Sequence, residues 1–448
     1  ADFFKTIIPP NPIAAAANDQ ILPLVFFTVV FAFALAITTL IGLGVGLIPA
    51  LHASRGDLNI KLQQSSRRTA GGHQWMRRTL AIAEVSLALV LLVGAGLLGK
   101  SFYQLLQIDP GFQTESAVAM ELSLPVPRAD ENRYKKLMDS LERLKRGEAP
   151  EESVQFSGEE DRQRLFQKQL LERLSTTPGV IAVGAINRLP LTGGGPSGTF
   201  LINNDPSRKG DADYRRASGG YFAAMKIPLL RGRTFDATDE VNAPNAAVIS
   251  QSLAQKYWPN EDPIGQKIQF GNMDSDVRLL HVVGVVGDVH DYGVDAKIAP
   301  TIYANSLQRL PSSSWTVVAR AQAEPSALVP AMREAVKSLD PQLPIKFRTL
   351  DQVFSSSLDQ RRFSFVIFVA FGATALLLAA IGIYGVTTYV VAQSTQEIGI
   401  RMALGARTAD VLKLVVKHGM KLALLGIVIG LAGSWALTRF IAKLLVGV

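Results

Sequence analysis

Four stretches of this chain are apolar over lengths that only a lipid bilayer explains. A bilayer core takes about 20 apolar residues in helical form, at about 1.5 Å of rise each. Residues 21–51 and 363–396 carry no charge, and residues 79–99 carry one, Glu84. Residues 422–440 are apolar up to Arg439, with Lys421 and Lys443 placed to snorkel at the ends. The expected fold class is therefore a membrane protein with four transmembrane α-helices plus an α+β extracytoplasmic domain.

Charge sets the orientation. The net charge is +8, which raises the question of nucleic acid, so its location matters. Residues 100–362 hold 32 basic and 32 acidic side chains, and the remaining 14 basic and 6 acidic residues carry the whole excess. Basic charge beside apolar helices marks the cytoplasmic face and argues against a nucleic-acid partner. Loop 52–78 holds Arg55, Lys61, Arg67, Arg68, Arg77 and Arg78 against Asp57 alone, and segment 397–421 holds Arg401, Arg407, Lys413, Lys417 and Lys421 against Glu397 and Asp410. Both belong in the cytoplasm. Residues 1–20 and 100–362 then lie outside. No signal peptide opens the chain at Ala1, and the sequence reads as an excerpt of a longer protein.

The outer segment alternates Val- and Ile-rich stretches with amphipathic ones. Ser116–Leu124 reads as a strand and Glu159–Thr176 as a helix; Pro178-Gly179 then turns the chain into a strand over Val180–Asn187. Trp315–Ala321, Pro325–Leu339 and Pro344–Thr349 repeat the strand–helix–strand order. Between these two units, residues 191–299 read as a β-rich insertion with short strands at 198–203, 245–250, 264–270 and 279–286. Residues 133–146 read as a charged helix and 148–160 as an acidic loop. Residues 350–361 read as a helix running into the third span, a stiff connection able to pass force.

Chemistry-bearing patterns are few. The absence of cysteine excludes disulfides and thiolate sites. Gly193-Gly194-Gly195 lacks the Lys-Ser/Thr of a phosphate-binding loop and reads as a flexible turn. His281, Asp288, His290 and Asp291 lack an evident third strong ligand, so no metal is expected. Arg231-Gly232-Arg233 reads as a structural basic turn ahead of a ligand clamp. Glu84 is either snorkelled or ion-paired near Arg77 and Arg78, or a coupling or relay group. Small residues, among them Gly94, Gly99, Gly372, Gly382, Gly426 and Gly430, suit close helix packing, dimer contact or sliding helices. No catalytic residue, cofactor or metal ligand is expected in this chain.

The informative motif follows the third span: Gln396-Glu397-Ile398-Gly399-Ile400-Arg401-Met402-Ala403-Leu404-Gly405-Ala406. As a helix it pairs Glu397 with Arg401 one turn on. Ile398, Met402 and, at the edge, Leu404 and Gly405 then face the bilayer or a partner's groove.

With Arg78-Thr-Leu-Ala-Ile-Ala-Glu-Val, Asp109-Pro-Gly-Phe112, Thr177-Pro-Gly-Val180, Tyr221-Phe222, Leu230-Arg-Gly-Arg-Thr-Phe235, Asp262-Pro-Ile-Gly265, Val282-Val-Gly-Val-Val-Gly-Asp288 and Ala380-Ile-Gly-Ile-Tyr-Gly385, this motif resembles the MacB/FtsX-type permeases of ABC transporters, most closely the duplicated, two-half kind. The resemblance implies that a separate cytoplasmic ATPase, carrying the ATP, contacts Glu397, Ile398, Gly399, Arg401, Met402, Leu404 and Gly405 as a coupling helix. It implies mechanotransmission to the outer domain, whose parts 100–190 and 300–362 would be porter-like. Membrane lipid and a second permease half, or a homodimer partner, complete the expected surroundings. Residues 1–68 look like the end of an upstream half, and the second half then lacks its last helix. A membrane-anchored sensor or binding module without transport is the alternative reading.

Overall fold

The computed structural model describes residues 70–124, 142, 158–270, 276, 278–310 and 314–445. The first expected span, 21–51, lies outside the described residues. So do the 1–20 tail, loop residues 52–69, and residues 133–157 apart from Glu142. The chain divides into two compact units, one holding residues 105–358 and the other the remaining residues on both sides.

The first described helix, α1 (Ala70–Leu105), belongs to the membrane unit over most of its length. The outer unit opens with β1 (Ala117–Ser123), whose Val118, Met120 and Leu122 alternate onto one buried face. Helix α2 (Gly158–Ser175) starts on Glu159, Glu160 and Asp161 and carries Arg173 in its last turn, both suited to its dipole. Its Phe166, Leu170 and Leu174, each a turn apart, pack on the sheet. β2 (Val180–Ile186) follows the Pro178-Gly179 turn.

The chain then builds a second layer of strands: β3 (Ser197–Ile202), β4 (Asp205–Ala217), the short helix α3 (Tyr221–Met225), β5 (Leu229–Gly232), β6 (Asn245–Ser250), α4 (Gln251–Tyr257), β7 (Lys267–Gln269), β8 (Leu280–Val286) and β9 (Thr301–Asn305). It returns through β10 (Ser314–Ala321), a 3-10 turn at Pro325–Leu328, α5 (Val329–Lys337) and β11 (Ile345–Thr349).

Two subdomains result. Strands β11-β1-β10-β2 pair antiparallel, so the units β1-α2-β2 and β10-α5-β11 interleave in one four-stranded sheet, the ferredoxin-like order. Its core holds Met120, Leu122, Leu170, Leu174, Trp315 and Met332. Each such side chain contributes about 1.5–3 kcal/mol on leaving water. The other strands follow β4-β3-β7-β8-β6-β9, and a parallel β9–β4 pairing closes the ring. This six-stranded barrel is filled by Phe200, Tyr214, Ile249, Ile268, Phe270 and Ile302. One residue pair, Ile186↔Ala217, joins sheet to barrel through β2 and β4.

The barrel corrects the insertion boundary. β9 lies beyond residue 299 yet pairs with β4 and β6, so the insertion extends through Asn305. β4 is a thirteen-residue strand that the sequence reading leaves as connection, because its sequence is mostly polar.

Helix α6 (Leu350–Gln393) starts in the outer unit, belongs to the membrane unit from Asp359 on, and is a single helix broken at Ser394. Then come α7 (Thr395–Ala403) and α8 (Thr408–Leu445). Among the described residues three segments are long and apolar enough to cross a membrane: Arg78–Leu105, Arg361–Ala392 and Thr408–Arg439. The expected third span, 363–396, is cut short by the break at Ser394. The expected coupling segment, 397–421, is divided: residues 408–421 already belong to α8.

Glycines set the helix contacts. A Cβ on Gly426 would lie 2.7 Å from Val85, and one on Gly372 3.4 Å from Leu92, so α8 and α6 both press closely on α1. The Ser86 hydroxyl lies 2.7 Å from the Ile82 carbonyl and 3.0 Å from that of Gly426.

Candidate functional site

Helix α7 and the turn after it carry every residue expected to meet a partner. α7 forms one exposed surface feature bounded by Ser394 and Gly405. Glu397 and Arg401 pair at 2.5 Å, one turn apart, with both side chains more than half exposed. Such a pair adds about 0.3–0.5 kcal/mol to a helix. The stop is a complete Schellman motif: the Gly405 amide donates to the Met402 carbonyl and the Ala406 amide to that of Arg401, both at 3.0 Å. The motif needs a left-handed residue, and Gly405 supplies it at φ +97°.

The apolar residues stand outward. Ile400 is 57% exposed, Met402 46% and Leu404 83%, whereas Ile398 is half-buried. Of the expected apolar face, Met402 and Leu404 are thus open and Ile398 is partly covered, while Ile400 stands exposed beside them. Ile400 lies outside that expected face, although its i, i+4 spacing to Leu404 carries the signal. Gly399 sits mid-helix, where glycine costs about 0.8–1 kcal/mol against alanine. Nothing among the described residues comes within 4 Å of its Cβ position. The packing of the described residues gives no use for that missing side chain.

Glu84 is turned onto α6. Its Oε2 is buried, has no hydrogen-bond partner among the described residues, and lies 2.2 Å from where a Cβ on Gly382 would be. The residues weighed as metal ligands are spread over separate tasks. The Asp288 carboxylate accepts from the Ser252 amide at 2.8 Å, and the His290 amide donates to the Pro110 carbonyl at 3.0 Å. His281 lies in β8 opposite Lys267. The basic turn pairs internally: Arg231 with Asp262 at 2.8 Å, Arg233 with Asp239 at 2.6 Å.

The fourth of those residues belongs to a cluster that sequence reasoning missed. Arg215, fully buried, holds Asp213 at 3.3 Å and Asp291 at 3.4 Å, and the Tyr292 hydroxyl donates to Asp213 at 3.0 Å. Burial pushes the Asp291 carboxyl above the usual range, more than Arg215 pulls it down. For Arg215, burial favours loss of the proton, but Asp291 and Asp213 outweigh it and hold the guanidinium above its ordinary value. Gly195 closes over this group, since a Cβ there would lie 2.4 Å from Arg215 Nη1. Of the triglycine run, Gly195 is thus fitted to the arginine, whereas the Cβ position of Gly193 meets nothing within 4 Å among the described residues. The cluster ties β4 to the loop after β8, and its closed packing makes it a structural pin.

Comparison with known proteins agrees with both units. Residues 132–339 match the family model of the MacB-like periplasmic core domain, and residues 369–447 that of the FtsX-like permease C-terminal region. The chain is 28% identical over 240 residues to the pyoverdine export ATP-binding/permease protein PvdT of Pseudomonas savastanoi pv. phaseolicola, covering 50% of this chain and 35% of that protein. It is 24% identical over 223 residues to macrolide export ATP-binding/permease protein MacB 2 of Aeromonas hydrophila, covering 48% and 33%. The match thus spans about a third of these relatives. The solved periplasmic region of MacB from Actinobacillus actinomycetemcomitans matches at 14% identity and a TM-score of 0.35, covering 56% of this chain and 97% of that one. With apolar helices and a β-rich outer unit, this is a membrane protein with an extracytoplasmic domain, and it carries a MacB-like periplasmic core domain followed by an FtsX-like permease C-terminal region.

Proposed function

We propose that this chain is the permease part of an export-type ABC transporter, driven through α7 by a cytoplasmic ATPase subunit that binds and hydrolyses the ATP. The observation that carries this reading is Gly399. It is an unused mid-helix glycine beside the exposed Ile400, Met402 and Leu404, and it fits a groove that approaches the α7 backbone from outside. Glu397 and Arg401 flank the contact and set its register. The basic excess around this segment supports a cytoplasmic position in a bacterial inner membrane.

The motion follows from continuity. α6 carries residues of the outer unit and of the third span in one unbroken helix, so a push on α7 is passed along α6. The two β-α-β units are read as porter-like halves, and a second permease half or a second copy completes the transporter. The relatives named for pyoverdine and macrolide export support an export direction.

The test is co-purification with candidate ATPase subunits. Wild type retains its ATPase, and Glu397→Ala plus Arg401→Ala lowers retention and ATP-dependent activity together. Unchanged retention and activity would remove α7 from the contact. A chain that retains no ATPase yet responds to outer ligands would be a sensor.

A further inference from the structure

Between Leu412 and Leu424, α8 carries two parallel rows of side chains. Lys413, Lys417 and Lys421 stand one turn apart, and so do Leu412, Val416, Met420 and Leu424. Together they line a shallow depression of about 530 Å³. The four apolar side chains are 64%, 50%, 55% and 54% exposed. The bundle uses a different side of α8. The Cβ position of Gly419 lies 3.5 Å from Thr387 Oγ1 of α6, and Leu422 is buried with Ala81 and Val386. Among the described residues no ion pair to any of the three lysines occurs, so there this row of like charge is uncompensated.

The two rows ask for one molecule. Lys413 and Lys421 are separated by about 12 Å along the axis, the depth of a lipid headgroup layer and its border with the hydrocarbon. The apolar row runs beside them and continues past Lys421 to Leu424. A free anion would satisfy only the lysines, and an apolar helix only the leucine side. An anionic phospholipid satisfies both, with its phosphate among the lysines and an acyl chain along Val416, Met420 and Leu424. We propose that this face of α8 is a binding site for an anionic phospholipid, which holds α8 at a fixed depth and rotation. The proposal needs α8 to cross a membrane and is independent of the ATPase reading.

The test uses the full chain in detergent, titrated with a fluorescent phosphatidylglycerol, with phosphatidylcholine and inorganic phosphate as competitors. The triple variant Lys413→Gln, Lys417→Gln, Lys421→Gln should weaken phosphatidylglycerol binding by about tenfold or more. The matching triple Lys→Arg variant should keep it, which separates lost charge from lost folding. Val416→Asn with Met420→Asn should also weaken binding, because the acyl row is broken. Unchanged affinity in the Lys→Gln variant overturns the site. Full displacement by inorganic phosphate overturns the lipid in favour of a free anion. A photo-crosslinker at Val416 that captures a protein in native membranes, rather than lipid, gives the face to another chain. ATPase retention is scored on the same samples, so failure of one proposal does not pass for failure of the other.

Discussion

The Glu84 carboxylate fills the space that Gly382 leaves by having no side chain, with its Oε2 2.2 Å from the missing Cβ. This joins α1 to α6 at a point where, among the described residues, Glu84 Oε2 has no hydrogen-bond partner. Gly382→Ala should destabilise the membrane unit by about 1–3 kcal/mol, as overpacking does. In a Glu84→Ala background the same change should cost less than about 0.5 kcal/mol, because the clash is with that one carboxylate. A double-mutant cycle on thermal unfolding of the detergent-solubilised chain reads this coupling. Additive costs would show that the two residues do not meet.

Gly405 ends α7 in a conformation that L side chains resist. Gly405→Ala should cost about 1–2 kcal/mol locally. The helices persist, measured by circular dichroism, while ATPase retention falls by about fivefold as the elbow loses its fixed angle.

Arg215 compensates two buried carboxylates, so removing it alone should be severe. Arg215→Met should lower stability by about 3–5 kcal/mol, the cost of leaving buried charge unpaired. Adding Asp213→Asn and Asp291→Asn should recover a large part of it. Chemical denaturation, with the outer-unit aromatics as reporter, distinguishes a charge effect from a lost contact.

The outer unit should weaken in acid through Asp276. Burial pushes this carboxyl up, but Arg309 at 3.2 Å and Arg278 at 2.7 Å outweigh it and hold it below the usual range. A depressed folded pKa gives stability that is full above the ordinary carboxylate value, about 3.9, and lost as pH falls through the folded one. Asp291, raised by burial, has the opposite sign: its contribution falls as pH rises from the ordinary value through its folded one. Melting temperatures between pH 6 and 3 should therefore drop less steeply for Asp276→Asn than for wild type.

Much of this architecture is legible in the sequence, for identifiable reasons. The spans stand out because a bilayer tolerates no charge, and the strand–helix–strand units because alternating and helical apolar periods fall on one sheet. β4 stays hidden because its buried end reads Asp213-Tyr214-Arg215-Arg216, where ion pairing replaces the apolar signal. The Arg215 cluster is equally silent, since Asp291 comes from a distant loop. On α7 the sequence shows the apolar residues but not which of them stand outward, because a nine-residue helix between two breaks takes its rotation from its ends.

Ser314 Oγ donates to the Asn187 carbonyl at 2.9 Å, although 127 residues separate them. The chain leaves the four-stranded sheet at Asn187 and rejoins it beside the same spot. To that sheet the entire barrel is a loop, and the closure entropy of a loop grows only with the logarithm of its length. Helix α3 lies within this excursion and packs back on β2 and β10, where Arg320 Nε donates to the Ala224 carbonyl at 2.8 Å. A graft that keeps α3 and changes only the barrel strands could resize the barrel at this doorway without rewriting the sheet beneath.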